Sequence, residues 1–288
     1  MKSPTLWWKR IPSHAINPKR KNHNMEILRL GFMQRALTAG FMVGTLCALL
    51  GVFIVLKNFS FVSAGISHAA FGGVALGYLL RTDVILTTLV FCILVGLGIT
   101  LLTQKSSLRE DTVVGIFYAS TMALGIFLLG FSQGYTVDLF GYLFGSILAV
   151  TRSDLVIIAS TLTGVLLLLL LFFKEFIAIT LDPETTKALG TPVEGFQYLF
   201  TALVAMVIVV AIRVVGIVLV SALMVIPAAT ALHLSQEIKR VIFLSALFSI
   251  TSCAFGLVLS FYLNTPSGAT IVLLSTGFFL ASLLRKSI

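Results

Sequence analysis

Long apolar stretches alternate with short polar breaks along almost the whole chain. Apolar runs of about 18 residues or more are typical of helices that span a bilayer. The pattern predicts eight or nine spans, near residues 33–56, 64–80, 84–103, 113–130, 154–173, 196–212, 214–234, 241–263 and 268–284. The number is open because Arg213 and Gly216 divide the run 196–234, which could form two short helices or one broken helix. The segment from Val137 to Val150 could be a short helix that lies at the interface or dips into it.

The composition agrees with a bilayer environment. Of the 288 residues, 58% are hydrophobic and 11% charged, whereas about one quarter of the residues in a soluble domain are charged. We therefore expect an all-α integral membrane protein, a single multi-pass bundle with membrane lipid around it. Cys47, Cys92 and Cys253 fall inside apolar runs without CxxC spacing, so we expect small buried hydrophobes rather than disulfides or metal ligands.

The N-terminal residues 1–24 form a basic extension that precedes the membrane domain, 25–288. The extension carries six positive charges and no acidic residue. We expect a disordered or interfacial tail, or a start at Met25, in preference to a dedicated lipid-binding arm, and nothing in its basicity points to nucleic acid. With this extension set aside, the positive-inside rule favours an external N-terminus and an internal C-terminus.

A polar segment between two apolar runs carries its own helix start and stop signals. Residues 180–195 read TLDPETTKALGTPVEG. Asp182 is placed as an N-cap, Pro183 fits the first helical position, Glu184 suits the helix N-terminus, and Gly190 ends the turn. A short capped helix outside the bilayer is predicted. It could dock a soluble partner or be an ordinary ordered loop.

One predicted span carries a histidine and a stripe of small residues. Gly65, Ala69, Gly73 and Gly77 recur every four residues, which allows close helix packing. A second such stripe, Ala36 to Ala48, lies in the first span. His68 could be a hydrogen-bonded structural residue or a metal ligand, and one histidine does not make a metal site.

For other polar or helix-breaking residues, both a structural and a functional role are considered. Asp83 is placed to cap a helix, and His233 lies at the boundary of a span. Asp138 could edge a path or cap a short helix. Pro227 should kink its span, which could build a gate or a static bend.

Several catalytic and nucleotide-binding motifs are absent from the sequence. The chain has no GxxxxGK[ST], HExxH or GxSxG motif. Any ATP must therefore be handled by another subunit, and an enzyme within the membrane is disfavoured.

Several motifs, in order, resemble the permeases of zinc, manganese and iron ABC importers. They are the run 33–80, REDTVVGIFYASTMALGI at 109–126, DLFGYLFGSIL at 138–148, LDPETTKALGTPV at 181–193 and VVGIVLVSALMVIPAATA at 214–231. The resemblance covers nearly everything from Met25 onward. It implies a type II ABC importer permease in the plasma membrane that moves a divalent metal ion.

The resemblance also implies partners. These are a second permease copy, cytoplasmic ATPase subunits that hold the ATP, and a soluble metal-binding protein on the outer face; the chain itself binds no cofactor. The 181–193 segment looks like the coupling helix of such permeases, on the matching residues Asp182, Pro183, Glu184, Ala188, Leu189 and Gly190.

In the same family, an acidic residue usually stands four positions before the histidine, and here that position is Ala64. Three accounts remain open. Ser63 or Ser67 could assist His68 in weak transit binding, another span could supply a ligand, or the cargo could be a chelated metal or another small molecule. A transporter driven by an ion gradient is the less favoured alternative, because the spans contain almost no acidic residues.

Overall fold

The computed structural model describes residues 30–131, 145 and 147–284. Every regular element in these ranges is helical. The helices are α1 Gly31–Leu56, α2 Ser60–Leu80, α3 Val84–Lys105, α4 Glu110–Gly130, α5 Arg152–Leu171, α6 Phe173–Leu181, α7 Pro183–Ala188, α8 Val193–Val215, α9 Ile217–Leu234, α10 Ile238–Leu263 and α11 Ser267–Leu283, with a 3₁₀ turn at Ile147–Ala149.

Eight of these helices are long and apolar enough to cross a bilayer, and the 17-residue α11 is a shorter apolar helix. The prediction of an all-helical membrane bundle is therefore confirmed. The open question at 196–234 is also settled: α8 and α9 are separate helices that meet at Gly216. Gly216 has φ 83° and ψ 163°, a conformation open essentially only to glycine.

The helices pack in a way that fixes which ends lie together. In α1, Gly40 faces Cys253 and Gly44 faces Ser249 of α10, so these two helices run antiparallel. The α2 and α4 helices run parallel, because Gly65 faces Val114 and, seven residues further along both helices, Gly72 faces Thr121. Lys57, the start of α4, α7 and the end of α11 thus share one end of the bundle, called here the α7 end.

Small residues allow the close approaches that the sequence predicted. A Cβ atom added at Gly73 would lie 2.8 Å from the Thr88 Cα atom of α3, and one added at Gly65 would lie 2.6 Å from a Val114 methyl of α4. The glycine stripe of α2 therefore allows close packing against two helices, α3 and α4. Burial agrees with this central position: 72% of the α2 span is buried inside the chain, against 22% for α4 and for α5.

Other local predictions can be checked on the same helices. Asp83 caps α3 by accepting a hydrogen bond from the Leu86 N–H at 2.8 Å, which confirms its predicted role. All three cysteines are free and buried. Asp138 and the 1–24 extension lie outside the described residues, as does most of 137–150 apart from Gly145 and the 3₁₀ turn at its end.

Candidate functional site

The α7 helix is held by its own sequence, as predicted. The Asp182 carboxylate accepts hydrogen bonds from the Thr185 N–H at 3.0 Å and the Thr185 hydroxyl at 2.6 Å. Pro183 occupies the first turn. Gly190 has φ 89° and donates its N–H to the Lys187 carbonyl at 3.0 Å. The predicted start and stop signals of this short helix are therefore confirmed.

The surface of this segment is exposed. Between Asp182 and Gly190 only Thr186 is buried, and Leu189 has 81% of its surface exposed. The hydrogen bonds from Thr185 hold the pKa of Asp182 below its usual value, so the carboxylate stays charged near neutral pH. A Lys187–Glu194 ion pair joins α7 to the first turn of α8. The segment is thus a preformed, solvent-facing helix that leads directly into a membrane span.

His68 lies in the middle of α2 and faces α4. Its ring makes an edge contact with the Tyr118 ring, with the centroids 4.8 Å apart. Its Nδ1 atom is buried and finds no hydrogen-bond partner among the described residues. Because unpaired polar atoms are rare inside proteins, this nitrogen needs a partner from outside the described residues, such as water or a ligand.

The two serines suggested beside His68 lie deeper in the chain. Ser63 and Ser67 are fully buried, and Ser63 donates to the Ser60 carbonyl at 2.9 Å. At about 100° per residue, Ser63 and Ser67 share one face of α2, while His68 points toward α4. Within the described ranges no three His, Cys, Asp or Glu residues cluster as a metal cage would need. Metal binding by His68, with or without these serines, stays a prediction.

Pro227 lies inside α9, as the sequence places it. Proline cannot donate a hydrogen bond to the carbonyl four residues before it, here that of Leu223. One turn earlier along α9, the Met224 carbonyl lies against Gly51 of α1: a Cβ atom there would come within 2.1 Å of the oxygen. The predicted gate role of Pro227 remains a prediction.

The α4 helix presents a face of small residues beside His68. Gly115, Ala119 and Ala123 are exposed, and a Cβ atom added at Gly115 would meet nothing within 4 Å. Tyr118, the ring that contacts His68, is also 37% exposed. Small-residue faces allow membrane helices to pack closely.

A polar cavity at the α7 end was not anticipated from the sequence. It has a volume of about 300 Å³ and is lined by Phe59, Val62, Ile99, Thr100, Thr103, Gln104, Glu110, Gln197 and Thr201. Three hydrogen bonds join α3 to α8 here. Gln104 donates to the Gln197 amide oxygen at 2.6 Å, the Tyr198 hydroxyl donates to the Gln104 amide oxygen at 3.1 Å, and the Thr100 and Thr201 hydroxyls lie 2.9 Å apart. The feature of the sequence that could have indicated this cavity is the set of polar residues at the ends of three separate apolar runs.

Comparison with known proteins places the chain among transporters. The profile of the ABC 3 transport family matches residues 29–286. The manganese transport system membrane protein MntC of Halalkalibacterium halodurans is 35% identical over 88% of this chain and 87% of its own length. The manganese import system permease protein ScaB of Streptococcus gordonii is 35% identical over 87% of this chain and 90% of its own length.

The fold agrees with the sequence similarity. The solved structure of PsaBC from Streptococcus pneumoniae in complex with Fab contains a chain that superposes with a TM-score of 0.81 at 37% identity, covering 91% of this chain and 94% of that one. The similarity extends over nearly the full length of each relative. The chain therefore belongs to the ABC 3 transport family of membrane permeases.

Proposed function

We propose that this chain is the permease subunit of an ABC importer that carries a divalent transition-metal ion. The observation that carries the proposal is the exposed, self-capped α7 helix, fixed between α6 and α8. Two relatives are named for manganese transport, so Mn²⁺ is the first cargo to test among manganese, zinc and iron.

In this proposal the α7 end is cytoplasmic and docks an ATPase subunit, which binds and hydrolyses the ATP. The 81% exposed Leu189 side chain fills an apolar pocket of that partner, since a few buried apolar anchors supply most of an interface's binding energy. Glu184 and Lys187 lie at the rim. Because only the four residues 189–192 and an ion pair join α7 to α8, a displacement of α7 moves α8.

The Leu189→Asp variant tests this coupling. An unpaired charge in an apolar pocket opposes docking, so metal-dependent uptake and stimulated ATP hydrolysis should fall about 10-fold or more. Both are measured on the complex in proteoliposomes. The matched control is Leu284→Asp, which alters another leucine at the same end, 89% exposed, and should leave both rates unchanged. Normal coupling in the Leu189 variant would refute the proposal.

We further propose that a second copy packs on the small-residue face of α4. Several ligands are needed to hold a metal ion, and one chain offers His68. A two-fold axis beside α4 would bring two copies of His68 toward one path. A soluble metal-binding protein on the opposite face would deliver the ion.

The role of His68 is tested by Mn²⁺ uptake in a His68→Ala variant. The control is His233→Ala. His233 also has a buried ring nitrogen without a partner in the described residues, but it lies in the last turn of α9, away from His68. We expect Mn²⁺ uptake to fall in His68→Ala and to persist in His233→Ala. Unchanged uptake of manganese, zinc and iron by His68→Ala would remove His68 from the path.

A chelated metal is the second candidate cargo, and Ala64 is the observation that favours it. Ala64 lies one turn from His68 on the same side of α2 and cannot bind a metal. A chelate brings its own ligands, so it needs fewer from the protein. Uptake of a chelate without uptake of the free ion would favour this alternative.

A further inference from the structure

We propose that the polar cavity at the α7 end is a low-affinity exit site for a hydrated divalent cation, with Glu110 as its charged ligand. The proposal rests on the transport function proposed above and extends it to a second position on the path. The cavity lies among α2, α3, α4 and α8, and it is separate from His68.

The cavity lies on the same two helices that hold the His68 and Tyr118 rings. Val62 precedes His68 by six residues in α2, which is about 9 Å at 1.5 Å per residue. Glu110 precedes Tyr118 by eight residues in the parallel α4, about 12 Å. An ion that leaves the level of His68 toward the α7 end thus approaches this cavity before it reaches that surface.

The lining offers oxygen atoms of the kind that hard cations prefer. Glu110 supplies a carboxylate, and Thr103 and Thr201 supply hydroxyls. The amide oxygens of Gln197 and Gln104 each accept one hydrogen bond within the protein, from the Gln104 amide and the Tyr198 hydroxyl, and each keeps a second lone pair for a cation or its water. The Thr103 hydroxyl is buried and has no hydrogen-bond partner within the described residues. Carboxylate, carbonyl and water oxygens suit manganese and magnesium, whereas thiolates, which this cavity lacks in its lining, suit softer ions.

The dimensions fit a cation that keeps its water. Six waters occupy roughly 180 Å³ at about 30 Å³ each, and the cavity holds about 300 Å³. A single carboxylate with neutral oxygens cannot replace a full hydration shell, so binding through water follows. Weak binding is what an exit position needs, because conduction requires that the ion can leave.

Lys57 is placed to keep this binding weak. Its ammonium lies 5.5 Å from the centroids of the Phe59 and Phe200 rings, and Phe59 forms part of the cavity wall. Burial lowers the pKa of Lys57, while the neighbouring Glu110 raises it. The lysine charge therefore acts on the same carboxylate that attracts the cation.

Direct binding of Mn²⁺ to the purified full chain in detergent tests the site, measured by equilibrium dialysis or by the loss of the free-ion EPR signal. In Glu110→Gln, Mn²⁺ affinity at this site should fall about 10-fold or more. The matched control is Asp111→Asn, the exposed neighbour that pairs with Arg109 at 3.9 Å, and its affinity should fall far less than that of Glu110→Gln. His68→Ala should retain the exit site, and millimolar Mg²⁺ should compete for it.

Two further variants guard against a folding defect in Glu110→Gln. Gln197→Leu keeps the side-chain size but removes an amide oxygen, and should also weaken Mn²⁺ binding. Lys57→Met removes the opposing charge and should strengthen it. Wild-type binding in Glu110→Gln, or an equal loss in Asp111→Asn, would overturn the proposal. The transport function is tested independently by Leu189→Asp, so the two can fail separately.

Discussion

Replacing Gly51 by alanine is expected to force α1 and α9 apart. The added Cβ atom would lie 2.1 Å from the Met224 carbonyl oxygen, and ordinary contact begins at 3.4 Å. The difference, about 1.3 Å, must come from movement of one helix, because a backbone carbonyl in a helix cannot swing aside as a side chain can. Overpacking of this kind costs about 1–3 kcal/mol.

This cost can be measured as a shift in thermal stability. For a chain of this size about 1 kcal/mol corresponds to a Tm shift of roughly 2–4 °C, so Gly51→Ala should melt about 2–12 °C below wild type in detergent. Gly164→Ala in α5 is the control, since a Cβ atom there meets nothing within 4 Å and alanine favours the helix by up to about 1 kcal/mol. Equal melting of Gly51→Ala and wild type would show that the α1–α9 contact is looser than the structure has it.

Three further predictions concern the two ends of the bundle. Gly216→Ala should cost about 1–3 kcal/mol, because its φ of 83° is unfavourable for alanine; a melting curve matched to that of Gly195→Ala tests this. Arg213→Met should cost about 1–3 kcal/mol, since it leaves the Asp154 side chain, 9% exposed and 3.2 Å from the guanidinium, without its ion pair; recovery in Arg213→Lys would attribute the loss to charge. The pKa of Asp182 is depressed by hydrogen bonds from its own helix, so its cap is complete above the usual carboxyl range and is lost only as pH falls through the lowered pKa. The cap should therefore persist between about pH 8 and pH 6, and stimulated ATP hydrolysis should not fall over this range because of Asp182. A fall in the rate that is present in the wild type and absent from Asp182→Asn would contradict the assignment.

The spans and the α7 helix could be predicted because their causes are local. Bilayer thickness demands about 20 apolar residues per helix, so the apolar runs mark the helices. The starts were less well placed: α8 begins at Val193, not near 196, since the helix continues past its apolar part. The cap at Asp182 acts over three residues and is therefore visible in the sequence itself.

The helix neighbours and the polar cavity could not be predicted in this way. Gln104, Glu110 and Gln197 stand at the ends of three different runs, and hydropathy treats each as a boundary residue. Only the packing of α3, α4 and α8 brings them to one place. For the same reason the small-residue stripe of α2 indicated close packing but not that α3 and α4 divide it between them.

The burial of α2 has a consequence for how the chain enters the membrane. It is the least apolar of the eight spans, with a mean hydropathy of 1.3 against 2.0 or more for the others, because its neighbours are protein rather than lipid. A segment of this kind gains less from lipid during insertion and relies on contacts with adjacent helices. We therefore expect α2 to be retained in the bilayer efficiently only once α3 and α4 have been synthesised. The three helices α2, α3 and α4 would then insert into the membrane as one unit.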